Sequence, residues 1–120
     1  MSSFRTREDP DGLVITLDDP TGLNDFRSSA FRDSLYETVQ SREAPRVAFN
    51  MKVVDYLSSS GVAILVGLKR RIETQNGKLV LFGVQPVVFD LLRIMKLNQY
   101  FAFADDEGQA LASLRPVSTA

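Results

Sequence analysis

The sequence contains no cysteine, no histidine and no tryptophan. Without cysteine there is no thiol nucleophile, no disulfide and no thiolate ligand for zinc. Without histidine there is no imidazole base, and a Ser-His-Asp triad cannot be assembled within one chain. Glycine-rich phosphate loops are missing too: neither G-x-x-x-x-G-K-[ST] nor G-x-G-x-x-G occurs. No long apolar run is present. The longest, "GVAILVGL" at 61–68, is far too short to cross a bilayer. The opening "MSSFRTREDPDG" is polar and lacks the apolar core of a signal peptide. An excess of one charge sign is lacking as well. Fourteen Lys and Arg stand against 15 Asp and Glu, a formal charge of −1. That argues against nucleic acid as a partner, because phosphate contacts need a net basic face. The cluster Lys69-Arg70-Arg71 reads as a solvated helix face. These absences point to a cytoplasmic protein without direct membrane insertion, metal or cofactor.

What is present suits one compact domain. The 120 residues are 44% apolar, enough for a core in a domain that buries roughly 65% of its unfolded surface. Phe4 to Glu8 reads as a short edge strand. "DPDG" at 9–12 reads as a turn, with Gly12 able to take positive φ. "LVITL" at 13–17 is a β-branched, apolar strand. Asn24 or Asp25 is placed to cap a helix whose buried stripe is Phe31, Leu35 and Val39. "RVAFNMKVV" at 46–54 is the next strand, and a helix runs from Gly61 to about Gln75. Gly77 suits the left-handed position after that helix. "LVLFGV" at 79–84 has the continuous apolar character of a buried strand. Pro86 opens a helix with the stripe Val87, Val88, Leu91, Leu92 and Met95. "YFAFA" at 100–104 is a last strand, and Asp105 caps a final helix through Ala110, Leu111 and Leu114. The order β-β-α-β-α-β-α-β-α predicts an α/β domain with a mostly parallel sheet of four or five strands and about four helices. The core is expected at about 4–114, with a frayed tail from 115 to 120.

The stretch "SSSG" at 58–61 joins the strand before it to the helix after it. Any of its serines suits the N-cap, and one cap needs only one serine. A helix N-terminus also offers unpaired N–H groups and the positive end of a dipole, which favour a phosphate. A phosphoserine there adds about −1.5 to −2 charges. The host fold tolerates that, whereas a partner docked over the loop does not. The first two turns of the helix are apolar nearly all round. Leu68 is read as core, and Ile64 stands evenly between core and contact surface.

The strand "RVAFNMKVVDYLSSSG" resembles the hydrophobic strand and D-S-[ST]-G loop of STAS domains, the fold of bacterial anti-sigma factor antagonists. "NGKLVLFGVQPVVFDLLRIMKLNQYFAFADDEGQAL" is similar to that family's glycine before a strand, proline-started helix and acidic cap of the last helix. The resemblance covers nearly the whole chain and is best from Arg46 to Leu114. It implies a non-enzymatic regulator that binds an anti-sigma factor kinase of the GHKL type. Phosphorylation of the Ser or Thr after the motif Asp stops binding, and a PP2C-type phosphatase reverses it. By position, Ser59 matches the phosphoacceptor, with Ser58 and Ser60 as alternatives, and Gly61 matches the motif glycine. Ser58 stands where the family has Asp. Asn24 stands in place of the Asp of a "G-x-L-D" turn near the kinase-contacting surface, with Asp25 beside it. The partner surface expected from this comprises Ser58, Ser60, Gly61, Ile64, Asn24 and Asp25.

A second reading keeps the fold without the phosphate. It makes the chain a constitutive interaction module, such as a stressosome-like scaffold part or the cytosolic STAS subunit of a lipid-transport ABC system. Small-molecule binding ranks below both, since the sequence offers no phosphate loop and no evident pocket. Catalysis ranks lower still: Asp18, Asp19 and Asp55 read as turn residues, and "ADDEG" at 104–108 reads as a helix cap, not a metal site.

Overall fold

The computed structural model of the chain describes residues 4–25 and 29–115. Strand β1 (Phe4–Asp9) turns back onto β2 (Gly12–Leu17). A single-turn helix α1 (Thr21–Asn24) precedes α2 (Ser29–Gln40). Then come β3 (Arg46–Asn50), α3 (Ser59–Thr74), β4 (Lys78–Phe82), α4 (Pro86–Ile94), β5 (Ala102–Ala104) and α5 (Glu107–Leu114). The sheet order follows the chain, β1-β2-β3-β4-β5; β1 pairs antiparallel with β2, and the other pairs are parallel. The expected α/β class and single mixed sheet therefore hold, with α1 as an unforeseen addition.

The pleat sorts the core into two layers. Leu13, Ile15, Leu17, Val47, Phe49, Leu79 and Leu81 point to one face. There they meet Phe31, Leu35 and Val39 of α2, Leu65, Leu68 and Ile72 of α3, and Val88 and Leu92 of α4. The intervening Val14, Ala48, Val80 and Phe82 point to the other face, against Ala110, Leu111 and Leu114 of α5. Central strands buried on both faces explain why β3 and β4 read as continuous apolar runs. The exposed edge β1 is kept from pairing with other chains by Arg5, Arg7 and Glu8. Among the described residues no helix is long and apolar enough to cross a membrane.

Several boundaries differ from the sequence reading, each for a local reason. Strand β3 stops at Asn50, not Val54, because the Asn50 carboxamide oxygen accepts from Lys52 N–H at 2.9 Å and turns the chain. Met51 and Val54 are apolar because each is tucked into the core from a loop whose Lys52 and Val53 are exposed, not because they belong to a strand. Strand β4 stops at Phe82, since Gly83 takes φ +68°. Tyr100 and Phe101 lie in a turn closed by Phe101 N–H to Leu97 O at 3.2 Å, which leaves β5 three residues. The left-handed residue after α3 is Asn76, not Gly77. Gly77 donates to Ile72 O at 2.8 Å, and a Cβ there would collide with Pro45 O. Gly12 has no positive φ; a Cβ there would press on Arg46 O at 2.7 Å. Helix α5 is capped by Asp106, whose carboxylate accepts from Gln109 N–H at 2.8 Å, and not by Asp105. Of the α4 stripe only Val88 and Leu92 are buried; Val87 and Met95 face solvent. The expected tail falls, apart from Arg115, outside the described residues.

Candidate functional site

Ser58 is the N-cap of α3. It sits in an extended conformation (φ −78°, ψ 169°) while the helix begins at Ser59, two residues before the expected Gly61. Its Oγ accepts from Gly61 N–H at 3.0 Å, and its carbonyl accepts the first helical bond from Val62 N–H at 3.0 Å. The same hydroxyl donates to Asn24 O at 2.9 Å. One proton and the capping lone pair are thus both committed.

Asn24 is the other half of this arrangement. The sequence offers Asn24 or Asp25 as the cap of α2; Asn24 instead ends α1 and is buried. Its Oδ1 accepts from Ser58 N–H at 2.9 Å, and its Nδ2 donates to Tyr56 O at 2.9 Å. A carboxamide does both, donor and acceptor, which a carboxylate does not. Asn24 therefore latches the loop before α3 from 34 residues away in sequence. Among the described residues no buried side-chain nitrogen or oxygen lacks a partner. Gly61 is glycine because the latch crosses it: a Cβ there would collide with Asn24 Oδ1.

The three serines are consequently unlike. Ser58 is half-buried and locked. Ser59, the first helical residue, is exposed. Ser60 is half-buried and lines a cleft of about 450 Å³ between α2 and α3, together with Asp25, Ser29, Arg32, Asp33 and Arg71. The N–H groups of Ser59 and Ser60 have no carbonyl partner a turn earlier in the helix. No acidic side chain lies in the first turn of α3, so nothing within the helix offsets its positive end.

Tyr36 closes the floor of the cleft. Its hydroxyl donates to Ile64 O at 3.1 Å, and the Arg71 guanidinium stacks over its ring 3.9 Å from the centroid. Gly67 admits the ring, since a Cβ there would collide with Tyr36 Oη. Burial pushes the Tyr36 phenol above its ordinary range. Ile64 and Leu68 are both buried, at 6% and 0% exposure. Leu68 is core as expected. Ile64 is withdrawn from the expected exposed surface: it joins the core cluster and lines the cleft between α2 and α3. The sequence reading also missed two exposed residues on the loop, Val53 (40%) and Tyr56 (53%). No sequence signal marked them: Val53 fell inside the strand read at 46–54, and only the end of the sheet register at Asn50 places both on the loop.

The site thus brings together Asn24, Ser58 and Gly61 in one hydrogen-bonded unit, with Asp25 and Ser60 beside the cleft and Ser59 outside it. Known proteins share the chain's fold and family. The chain is 27% identical over 96 residues to an "Anti-sigma F factor antagonist" of Paenibacillus polymyxa, covering 80% of this chain and 82% of that one. The fold superposes with a TM-score of 0.80 on an anti-sigma-factor antagonist (STAS) domain protein from Planctomyces limnophilus, at 17% identity over 95% of this chain and 98% of that one. It superposes with a TM-score of 0.65 on the phosphorylated form of the Bacillus cell fate determinant SpoIIAA, at 20% identity over 93% and 99%. The sequence model of the STAS domain matches residues 3–110, and the chain belongs to the STAS domain family.

Proposed function

We propose that the chain is an anti-sigma factor antagonist-like regulator. It binds an anti-sigma factor kinase of the GHKL type through the loop before α3, and phosphorylation of Ser59 ends the complex. A PP2C-type phosphatase restores it. The observation that carries this reading is the division of labour in the loop. The Ser58 hydroxyl is consumed by the cap and by Asn24, whereas Ser59 is exposed at the first position of α3. A phosphate on Ser59 meets the unpaired N–H groups of the helix start and disturbs no hydrogen bond of the latch. It does add charge to the surface where Tyr56 and Val53 offer exposed apolar area to a partner. The name of the Paenibacillus relative supports the antagonist role.

The test is incubation with the cognate kinase and ATP, with the phosphate mapped by mass spectrometry. Phosphate on Ser59 is the expected result. No modification at any of residues 58–60 sinks the proposal, and modification of Ser58 alone contradicts the assignment of the cap. Ser58 in place of the family Asp favours a second reading, a phosphorylation-independent interaction module such as a stressosome-like scaffold part or the STAS subunit of a lipid-transport ABC system. The two differ in one outcome. Ser59→Asp costs the switch its partner and leaves the constitutive module's partner bound.

A further inference from the structure

The chain holds asparagine at 24, 50, 76 and 98, and only Asn76 is followed by glycine. Asn76 stands exposed in the turn between α3 and β4. Glycine has no side chain to shield its amide nitrogen, so an Asn-Gly step is readily attacked at the carboxamide by the next residue's nitrogen. The turn opposes that attack. Gly77 N–H donates to Ile72 O at 2.8 Å, and Asn76 N–H donates to Glu73 O at 3.0 Å. Lys78 N–H donates to Pro45 O at 2.9 Å, where the pairing of β4 with β3 begins. Gly77 is also wedged in place: a Cβ there would strike Pro45 O and come within 2.9 Å of Ile72 Cγ2. Its nitrogen is therefore held by its proton and by its surroundings.

We propose that Asn76 is a site of spontaneous deamidation, latent in the folded domain and released when the α3–β4 turn opens, and that the product does not fit the turn. The Gly77 nitrogen gives its proton to hydroxide and bonds to Asn76 Cγ. The Cγ–Nδ2 bond breaks, and the amide nitrogen leaves as ammonia with a proton taken from water. Water then opens the cyclic imide at either carbonyl. Opening at Cγ leaves an aspartate; opening at the main-chain carbonyl leaves an isoaspartate, whose backbone runs through Cβ. No oxidant or reductant is needed. The Gly77–Ile72 bond has to break before the nitrogen is free, so the rate follows the open fraction of this turn. Both products conflict with the closed turn. The aspartate sets a carboxylate at the carbonyl end of α3, where the helix dipole disfavours negative charge. The isoaspartate lengthens the backbone between α3 and β4, where Gly77 has no room against Pro45. The modification thus removes domains from the folded pool in one direction, starting at the far end of the helix that Ser58 caps.

The test incubates the full chain at mildly alkaline pH, folded in buffer and unfolded in guanidinium chloride. Peptide mass mapping follows Asn76, with fragmentation that separates aspartate from isoaspartate. Modification at Asn76 is expected in the unfolded chain, and at least about tenfold more slowly in the folded one. Once the denaturant is removed, modified chains are expected to melt below unmodified ones. Asn76→Gly suits the left-handed φ of 63° and is expected to refold fully after the same treatment. Equal rates in the folded and unfolded chain overturn the protection by the turn. An unfolded chain with no modification at Asn76 overturns the site. Modified chains that melt with the parent overturn the misfit, as does a loss of refolding in Asn76→Gly equal to the parent's.

Discussion

At the scale of single residues, Ser58 and Asn24 explain one another. Each stands where the resemblance leads one to expect an acid, and each performs a task a carboxylate does not. Asn24 donates to Tyr56 O while accepting from Ser58 N–H; Ser58 donates to Asn24 O while accepting from Gly61 N–H. Asn24→Asp places a carboxylate against the Tyr56 carbonyl and is expected to cost about 1–3 kcal/mol. Ser58→Ala is expected to cost about 1 kcal/mol as a lost cap. The two positions are in contact, so urea titrations of N24A, S58A and the double variant are expected to show a coupling of roughly 0.5–3 kcal/mol. Strict additivity refutes the latch. Ser59→Ala, with nothing to break, is expected to stay within about 0.5 kcal/mol of the parent. The capping role of a serine before a helix was legible in the sequence. The latch was not, because its other half lies 34 residues upstream, and nothing local marks Asn24 as anything but a candidate cap.

At the scale of elements, α2 and α3 meet where Tyr36 crosses Gly67. A mid-helix glycine costs roughly 1 kcal/mol against alanine in an isolated helix. Gly67→Ala is nonetheless expected to destabilise by about 1–3 kcal/mol, because the new Cβ displaces the Tyr36 ring and its bond to Ile64 O. A thermal melt that rises on this substitution contradicts the packing described. The raised Tyr36 pKa has a sign that can be checked. The folded state holds the phenol above its unfolded value near 10, so its stabilising effect is complete below about pH 10 and is lost as pH rises through the folded pKa. Stability of the parent is expected to fall more steeply above about pH 10 than that of Tyr36→Phe, measured by denaturant titration across that range. Period-two and period-3.6 patterns made β2, β3, β4, α2 and α3 legible. They did not divide α4, whose single apolar stripe splits into buried Val88 and Leu92 and exposed Val87 and Met95. They misled at 51–54, where a loop that buries Met51 and Val54 has the composition of a strand.

At the scale of the whole molecule, α2, α3 and α4, with Leu23 of α1, cover one face of the sheet and α5 alone covers the other. The serine loop lies at the ends of β3 and α1, held by the two Asn24 side-chain bonds, and Ser59 on it is exposed. Nothing in the two core layers depends on Ser59. Phosphorylation there is therefore expected to leave the fold unchanged and to act on whatever docks over the loop. The domain class was legible because alternating strands and helices with short connections permit few arrangements. The contact surface was not, because exposure is a property of the assembled chain: Ile64 and Tyr56 look alike as apolar residues near the motif, and packing buries one and exposes the other. The most direct measurement is a calorimetric titration of the cognate anti-sigma factor kinase with unmodified protein and with protein phosphorylated at Ser59, each first shown to have the same melting temperature. A loss of at least about a hundredfold in affinity, with stability unchanged, is the predicted result. Equal affinity of the two forms would contradict the account.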